Sequence, residues 1–255
     1  GCTDSHATNY DPSANENIGC DYNTANAVVA SFGYLARCFV FVDVDGNRRH
    51  NWVTEPSGRS DQVGYVSMIY QVPGMVMVQP ASASAACSDA IIGATLAVPL
   101  LSTVDASMVT PLTTIAGFLV GNRGLSPAAA SARVWQSLSL AEQSVWSFNA
   151  LQTSLTSQIP FRLVDALWLV RQMQAMNAAT YVQELFSGSE TFAGENGLAA
   201  FQALSNMVHD GPVTLSDANT ITQLISLTAD ILRSSYDQSR ASTIAAACAA
   251  ANQQF

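Results

Sequence analysis

Lysine is absent from the 255 residues, so all ten basic side chains are arginine, and charged residues make up only 11% of the chain. A typical soluble domain has roughly 25% charged residues. With 19 acidic residues the formal net charge is −9. Binding to nucleic acids or to anionic membrane surfaces depends on clustered Lys and Arg. We therefore expect neither nucleic acid nor a membrane surface as a partner.

Long apolar runs are also missing. The uncharged stretches are interrupted by Pro73, Pro80, Pro99 and Pro111 and by polar residues. None offers the ~20 predominantly apolar residues that a membrane-spanning helix needs. These stretches are typical of a buried core, and we expect no membrane insertion.

Motifs of common catalytic sites are lacking: His-Glu-x-x-His, Gly-x-Ser-x-Gly, Walker and Gly-x-Gly-x-x-Gly patterns do not occur. Asp43 and Asp45 could form an acid–base pair on one face of a strand, ~7 Å apart, but nothing else marks a cleft around them. A Cys38 nucleophile would need an adjacent base, and Arg37 should point to the opposite strand face. The histidines lie in polar stretches at His6, His50 and His209. We expect no enzyme, no catalytic residues and no organic cofactor.

Five cysteines are present, and none lies in a Cys-x-x-Cys pair, which argues against zinc. Cys2 and Cys20 bracket a polar loop that cannot form a core, and a disulfide there could contribute roughly 3 kcal/mol. We also pair Cys38 with Cys87, which implies an oxidising compartment and an extracellular or cell-surface location. Cys248, in an Ala-rich tail, is either a buried small residue or an intermolecular link.

The pattern of apolar residues divides the chain into three units. Turn-forming residues dominate 1–22, which we interpret as a loop module tied by a disulfide. Short β-branched and aromatic segments with turn signals about every ten residues predict a β-sandwich over 27–104. Helical periodicity over 105–255 predicts an all-helical bundle. The predicted fold class is α+β.

Helix starts are visible in the second half. Pro111, Ser126-Pro127 and Ser216-Asp217 are typical first-turn or capping residues, and Ser139–Glu142 fits a capping box for a further helix. Over Phe161–Met176 we predict an apolar face at Leu163, Ala166, Leu167 and Val170. We place three tryptophans in helices: Trp135, Trp146 and Trp168.

Residues 1–22, GCTDSHATNYDPSANENIGCDY, resemble a cysteine-bounded repeat, roughly G-C-T-D-x-x-A-x-N-Y-[DN]-P-x-A, of secreted and surface proteins from marine bacteria and algae. The resemblance implies a spacer or adhesive module. Oxygen-bearing side chains of this unit could form a cation cluster or, alternatively, Asx-turns that order the loop: Asp4, Asn9, Asp11 and Asn15.

Residues 33–150 are more loosely similar to bacterial and algal surface proteins that carry a prealbumin-like or SdrD B-like β-sandwich. The segments that carry the similarity are DVDGN followed by EP, then SDQVGYVS, MVTPLTTIAGFLV and a helical region. The resemblance implies an architectural role, and some relatives bind calcium. Five side chains could supply oxygen ligands here: Asp43, Asp45, Asn47, Asn51 and Glu55. Arg48 and Arg49 oppose a cation, and the alternative is a hairpin turn with charged residues at its tip.

Two functions follow from these observations. The first is a structural subunit of an extracellular assembly (a filament, appendage or coat) that contacts copies of itself or other structural proteins, with the N-terminal unit and the Ala-rich C-terminal helix as candidate contacts. The second is a monomeric adhesive or carbohydrate-binding module. Trp52, in a polar loop beside arginines, could anchor a neighbouring subunit, stack on a sugar or fold back on the sheet.

Overall fold

The computed structural model describes residues 1–5, 7–81, 86–90, 92–152, 163–186 and 193–255, with side chains from 197 onward in the last range. The strands are β1 (Asn23–Val29), β2 (Leu35–Ala36), β3 (Phe39–Asp43), β4 (Ser57–Arg59), β5 (Tyr65–Tyr70), β6 (Met75–Val78), β7 (Ser88–Asp89), β8 (Leu100–Thr103) and β9 (Met108–Val109). The helices are α1 (Pro111–Arg123), α2 (Pro127–Ser137), α3 (Leu163–Phe186), α4 (Ala193–Asp210), α5 (Ala218–Leu232) and α6 (Gln238–Gln253). Strands precede helices, which confirms the predicted α+β class.

Within the described residues the strands form three sheets. A four-stranded antiparallel sheet has the order β4-β3-β6-β8, and a three-stranded sheet has the order β5-β1-β9. In β1 and β5 buried and exposed residues alternate, so each strand has one face toward the core. Gly58 in β4 lies against Val66 and Met68 of β5, which brings the two sheets together without hydrogen-bonding them into one. The short β2 and β7 pair separately.

Both predicted disulfides are present. Cys2 is bonded to Cys20, and Cys38 is bonded to Cys87. The second bridge is buried and ties the start of β3 to the segment before β7. The Cys38 sulfur is thus not available as a nucleophile. Disulfides are compatible with secretion, and the helices whose residues are described include none with the length and hydropathy of a membrane span.

The N-terminal loop (residues 1–22) is organised by polar contacts around its disulfide. The Asn9 side chain donates to the Gly19 carbonyl oxygen at 2.6 Å and to Asp21, and accepts from the Asp21 backbone N–H at 2.9 Å. The Tyr22 hydroxyl donates to Asp4. Asp11 accepts the backbone N–H of Ser13, an Asx-turn that agrees with the turn interpretation of this unit. The resemblance to a repeat stays a prediction.

Helix α1 joins the strands to the helices. It begins at Pro111 after the N-cap Thr110, as its sequence predicts. The Thr113 hydroxyl donates to the Leu101 carbonyl oxygen in β8 at 3.0 Å. The Thr114 hydroxyl accepts the Leu101 N–H at 3.0 Å and donates to the Thr110 carbonyl oxygen at 2.8 Å. One turn later, Gly117 lets the helix lie against Leu101 and Met75.

One hydrophobic cluster runs from the strands through α1 into the C-terminal helices. α1 contacts α2, α3 and α4 as well as β8. Cys248 is fully buried in this cluster, and burial raises its pKa to about 12. It is therefore a small core residue in this fold, and an intermolecular link would require it to leave the core. The predicted division of the chain into units 1–22, 27–104 and 105–255 stays a prediction.

Three of the predicted helix starts are confirmed, and one is wrong. Ser126 caps α2 before Pro127, and Asp217 caps α5. The capping box at Ser139–Glu142 starts no helix: Ser139 adopts a left-handed backbone (φ 54°), and residues 139–150 form turns and bends.

That turn segment is held against α2 by hydrogen bonds. The Val145 N–H donates to the Ser131 hydroxyl, and the Trp146 indole N–H donates to the Pro127 carbonyl oxygen. Trp146 is accordingly buried in a turn and not in a helix. Trp135 and Trp168 do lie in helices, half-buried and fully buried respectively.

The predicted apolar face of α3 is also wrong in part. Leu163 is 87% exposed, and Phe161 lies outside the described residues. α3 packs on both α4 and α6, so it buries two sides. Gln174 is buried and donates to the Asn252 carbonyl oxygen in α6 at 2.7 Å. Polar residues thus replace part of the expected apolar face.

We predict that Gly117→Ala lowers the free energy of unfolding by about 1–2 kcal/mol, because the added Cβ would overlap the Leu101 side chain in a packed core and lie 3.0 Å from Met75 Cε. Gly121→Ala is the matched control on the same helix, since nothing lies within 4 Å of its Cβ. The control should gain about 0.5 kcal/mol from helix propensity. Denaturant unfolding measures both, and equal effects of the two variants would contradict the close approach.

Candidate functional site

The connection between β3 and β4, residues 43–56, holds the residues that the sequence singles out. β3 is buried along its length and delivers Asp43 at its end, where the chain turns at Asp45-Gly46-Asn47. Gly46 has φ 74° and Arg48 has φ 63°, both in the left-handed region. Glycine tolerates that backbone without strain, whereas arginine does so only when its surroundings hold it there.

Two buried carboxylates organise this loop, which we name the acidic loop. Asp43 is 4% exposed, and its two oxygens accept the backbone N–H groups of Gly46 and Arg48 at 2.9 and 3.1 Å. Glu55 is 5% exposed and accepts the N–H groups of Val44 and Asn51, each at 2.8 Å. Four loop donors therefore receive partners from two side chains, which satisfies backbone groups that the turn cannot pair.

A third carboxylate joins them at the surface. One oxygen each from Asp43, Asp45 and Glu55 lies within 4.8 Å of the others, and Asp45 is exposed. Burial raises the pKa of Asp43, and the nearby charges of Glu55 and Asp45 raise it further, against the lowering effect of its N–H donors. The predicted strand geometry for Asp43 and Asp45 is wrong, because β3 ends at Asp43 and Asp45 belongs to the turn.

The two asparagines of the predicted set use their side chains within the loop. Asn47 donates to Asp45 at 2.7 Å and accepts the Arg49 N–H. The Asn51 side-chain oxygen accepts the Val53 N–H at 3.0 Å. The bonds to the Arg49 and Val53 N–H groups are Asx-type turns, so the structure gives Asn47 and Asn51 a local structural role.

Arg48, which the sequence sets against a cation, has its guanidinium carbon 4.9 Å from the centre of the Phe118 ring in α1. That contact is a cation–π interaction. It ties the acidic loop to the first helix, while the Arg48 backbone N–H donates to Asp43. The guanidinium is thus engaged with an aromatic face of the core.

Trp52 lies on an aromatic cluster that the sequence alone did not reveal. Its ring is 4.4 Å from the His50 ring and 5.6 Å from Phe39, between ring centres, and His50 is 5.2 Å from Phe41. The signal available in the sequence was Phe39-Val40-Phe41, whose alternation places both phenylalanines on one strand face. Trp52 folds back on the sheet and is nevertheless 80% exposed.

His50 is oriented by the loop. Its Nε2–H donates to the Glu55 carbonyl oxygen at 2.9 Å, because a carbonyl can only accept. Its other ring nitrogen is buried and has no hydrogen-bond partner among the described residues. Of the remaining histidines, His6 lies outside the described residues, and His209 is paired with Asp210 at 3.2 Å on the surface.

Comparisons with protein-family models, with curated proteins and with solved structures returned no match to this chain. The two resemblances drawn from residues 1–22 and 33–150 therefore stay predictions.

The three carboxylates of the acidic loop lie close enough together to contact one cation. Calcium–oxygen distances of 2.3–2.6 Å allow ligand atoms on one ion to be up to about 5 Å apart, and the three carboxylates satisfy that limit. Each buried oxygen already accepts an N–H, which leaves one lone-pair direction for an ion and favours monodentate binding. Calcium prefers six to eight oxygens, so water or backbone carbonyls would complete the shell.

We predict that millimolar calcium stabilises the wild-type chain at neutral pH. An ion would offset the repulsion among Asp43, Asp45 and Glu55, and at about ten times Kd it adds about 1.4 kcal/mol, or roughly 3–6 °C in melting temperature. Asp43→Asn should abolish the shift, and Asp105→Asn, an exposed carboxylate elsewhere, should keep it. Calorimetric scans with and without calcium measure this. An unshifted wild type would leave the acidic loop with a structural role alone.

The pH dependence without calcium has a definite sign. Because folding raises the Asp43 pKa, the folded state binds this proton more tightly than the unfolded chain does. The contribution of protonated Asp43 to the free energy of unfolding is present at acidic pH and is lost as pH rises through the folded-state pKa. The stability advantage of wild type over Asp43→Asn should therefore shrink with rising pH.

Proposed function

We propose that this chain is a non-catalytic structural subunit of an extracellular or cell-surface assembly, such as a filament, an appendage or a coat. It would be built from a disulfide-tied loop module, a β-sandwich of the prealbumin-like type and a helical bundle. Its partners would be copies of itself or other extracellular structural proteins. Calcium bound at the acidic loop would be a stabilising ion in that setting.

The observation that carries the proposal is where the exposed apolar side chains lie. Of eleven large hydrophobic residues exposed among the described residues, nine fall between positions 10 and 92: Tyr10, Ile18, Trp52, Val53, Val63, Tyr65, Ile69, Val72 and Ile92. The described helices expose only Leu163, and Phe255 follows them. A contiguous patch of exposed apolar side chains is typical of a surface that a partner covers, and this part of the chain holds the residues that would form such a patch.

The composition supports the same function. Few charges surround these side chains, and a weakly charged surface resists association poorly. Two disulfides in a chain of this kind are typical of an oxidising compartment. Together these features favour a durable protein that associates outside the reducing interior of a cell.

We predict that the oxidised chain associates into ordered polymers as its concentration rises. Sedimentation velocity and negative-stain imaging measure this association. A double variant, Ile18→Ser with Val53→Ser, should weaken association by about tenfold or more, because both side chains are largely exposed apolar surface. Leu163→Ser, in the helices, is the matched control and should associate as wild type does. A chain that stays monomeric at all concentrations would contradict the proposal.

The alternative is a monomeric adhesive or carbohydrate-binding module, and one observation favours it. Trp52 is exposed yet held on His50 and Phe39. A fixed aromatic face can stack on a sugar ring at low entropic cost.

For that alternative we predict that glycan-array binding falls about tenfold or more in Trp52→Ala, since aromatic side chains dominate such contacts. Val53→Ala, the adjacent exposed residue, is the control and should bind as wild type does. The absence of glycan binding in the wild-type chain would remove this alternative.

A further inference from the structure

The N-terminal loop has more acidic than basic side chains. Residues 1–36 hold four carboxylates and neither Lys nor Arg. Asp11, Glu16 and Asp21 are exposed, and Tyr10 and Ile18 between them are exposed apolar side chains. The unit thus presents negative charge together with apolar surface.

Arginines are concentrated in the segment that runs from the end of β2 to the end of β4. Four of the ten lie within residues 37–59, where two of the three carboxylates, Asp43 and Glu55, are buried in the acidic loop. Arg37, Arg49 and Arg59 are exposed. In a chain with a net charge of −9 this is a local excess of positive charge.

The arginines and Trp52 lie on connected elements. Arg59 is paired with Phe39 across β4 and β3, so their side chains share a face of the sheet. Trp52 stacks on Phe39, and the Arg59 guanidinium donates to the Arg37 carbonyl oxygen at 3.2 Å. We name this surface, formed by Arg37, Arg59 and Trp52, the arginine patch. Asp45 and Asp61 are the exposed carboxylates nearest to these residues in sequence.

We propose that the arginine patch of one copy binds the acidic N-terminal loop of a second copy. The two surfaces are complementary in charge, and each carries an exposed apolar anchor, Trp52 on one and Ile18 on the other. This inference rests on the proposed self-assembly and names its contact. Repetition of such a heterologous contact produces a ring or an open polymer, and a reciprocal pair of contacts produces a dimer.

The proposed contact has the energetics of a surface interaction. Exposed ion pairs contribute little individually and are screened by salt, so the apolar anchors must supply much of the affinity. Charge governs which surfaces meet and how fast. Association should therefore weaken at least about tenfold as ionic strength rises from about 0.05 M to about 0.5 M.

Charge reversal on each surface tests the contact. The patch variant is Arg37→Glu with Arg59→Glu. The loop variant is Asn15→Arg with Glu16→Arg, two exposed residues whose side chains make no hydrogen bond among those described. Arg233→Glu and Glu142→Arg are the matched controls, and Arg233 is an exposed arginine with a positive φ (50°), as Arg37 is (60°). Unchanged melting temperatures verify that each variant folds.

Each variant alone should associate about tenfold or more weakly than wild type in sedimentation velocity, because like charges now face each other. An equimolar mixture of the two should recover association, since every loop then has an oppositely charged patch available. The controls should match wild type. Two results would overturn this contact and leave the proposed self-assembly in place, provided that wild type forms polymers. In the first, the charge-reversal variants associate as wild type does; in the second, the mixture of the two variants does not recover association. A monomeric wild type would overturn both the contact and the self-assembly, and anionic glycan binding lost in the patch variant would then assign the patch to a saccharide.

Discussion

The contact between β8 and α1 is the constraint on which the rest of the fold depends. Leu101 is the junction: its backbone is bound by Thr113 and Thr114, and its side chain fills the space that Gly117 leaves open. Because α1 also packs on α2, α3 and α4, this junction gives the strands and helices one hydrophobic core. The Arg48–Phe118 contact then attaches the acidic loop to the same helix.

The N-terminal loop and the helices differ in what stabilises them and in how much apolar surface they expose. The N-terminal loop has no apolar core and relies on the Cys2–Cys20 bridge and on the hydrogen bonds of Asn9, whereas the helices bury most of their large side chains. The apolar surface left open lies mainly on the N-terminal loop and the strands. This distribution of exposed apolar side chains is the physical basis of the proposed assembly.

The sequence predicted features whose causes are local. The helix starts at Pro111, at Ser126-Pro127 and at Asp217 were predicted, because a capping or first-turn residue acts only within its own first turn. Both disulfides followed from the composition around the cysteines. Features set by distant partners were missed: Ser139 turns because its segment is bound to α2, and α3 buries Gln174 because Asn252 of α6 accepts its hydrogen bond. In the candidate site, the three carboxylates were predicted, but the aromatic support of Trp52 by His50 and Phe39 depends on how the loop closes.

If the Leu101 junction unites strands and helices, they should open together. Native-state hydrogen exchange of the oxidised chain in increasing mild denaturant tests this most directly. We predict that the slowest amides of β3, β6, α1 and α4 converge on one opening free energy. Exchange of β3 and β6 through an opening that leaves α1 and α4 protected would contradict a single core and show two separately stable parts.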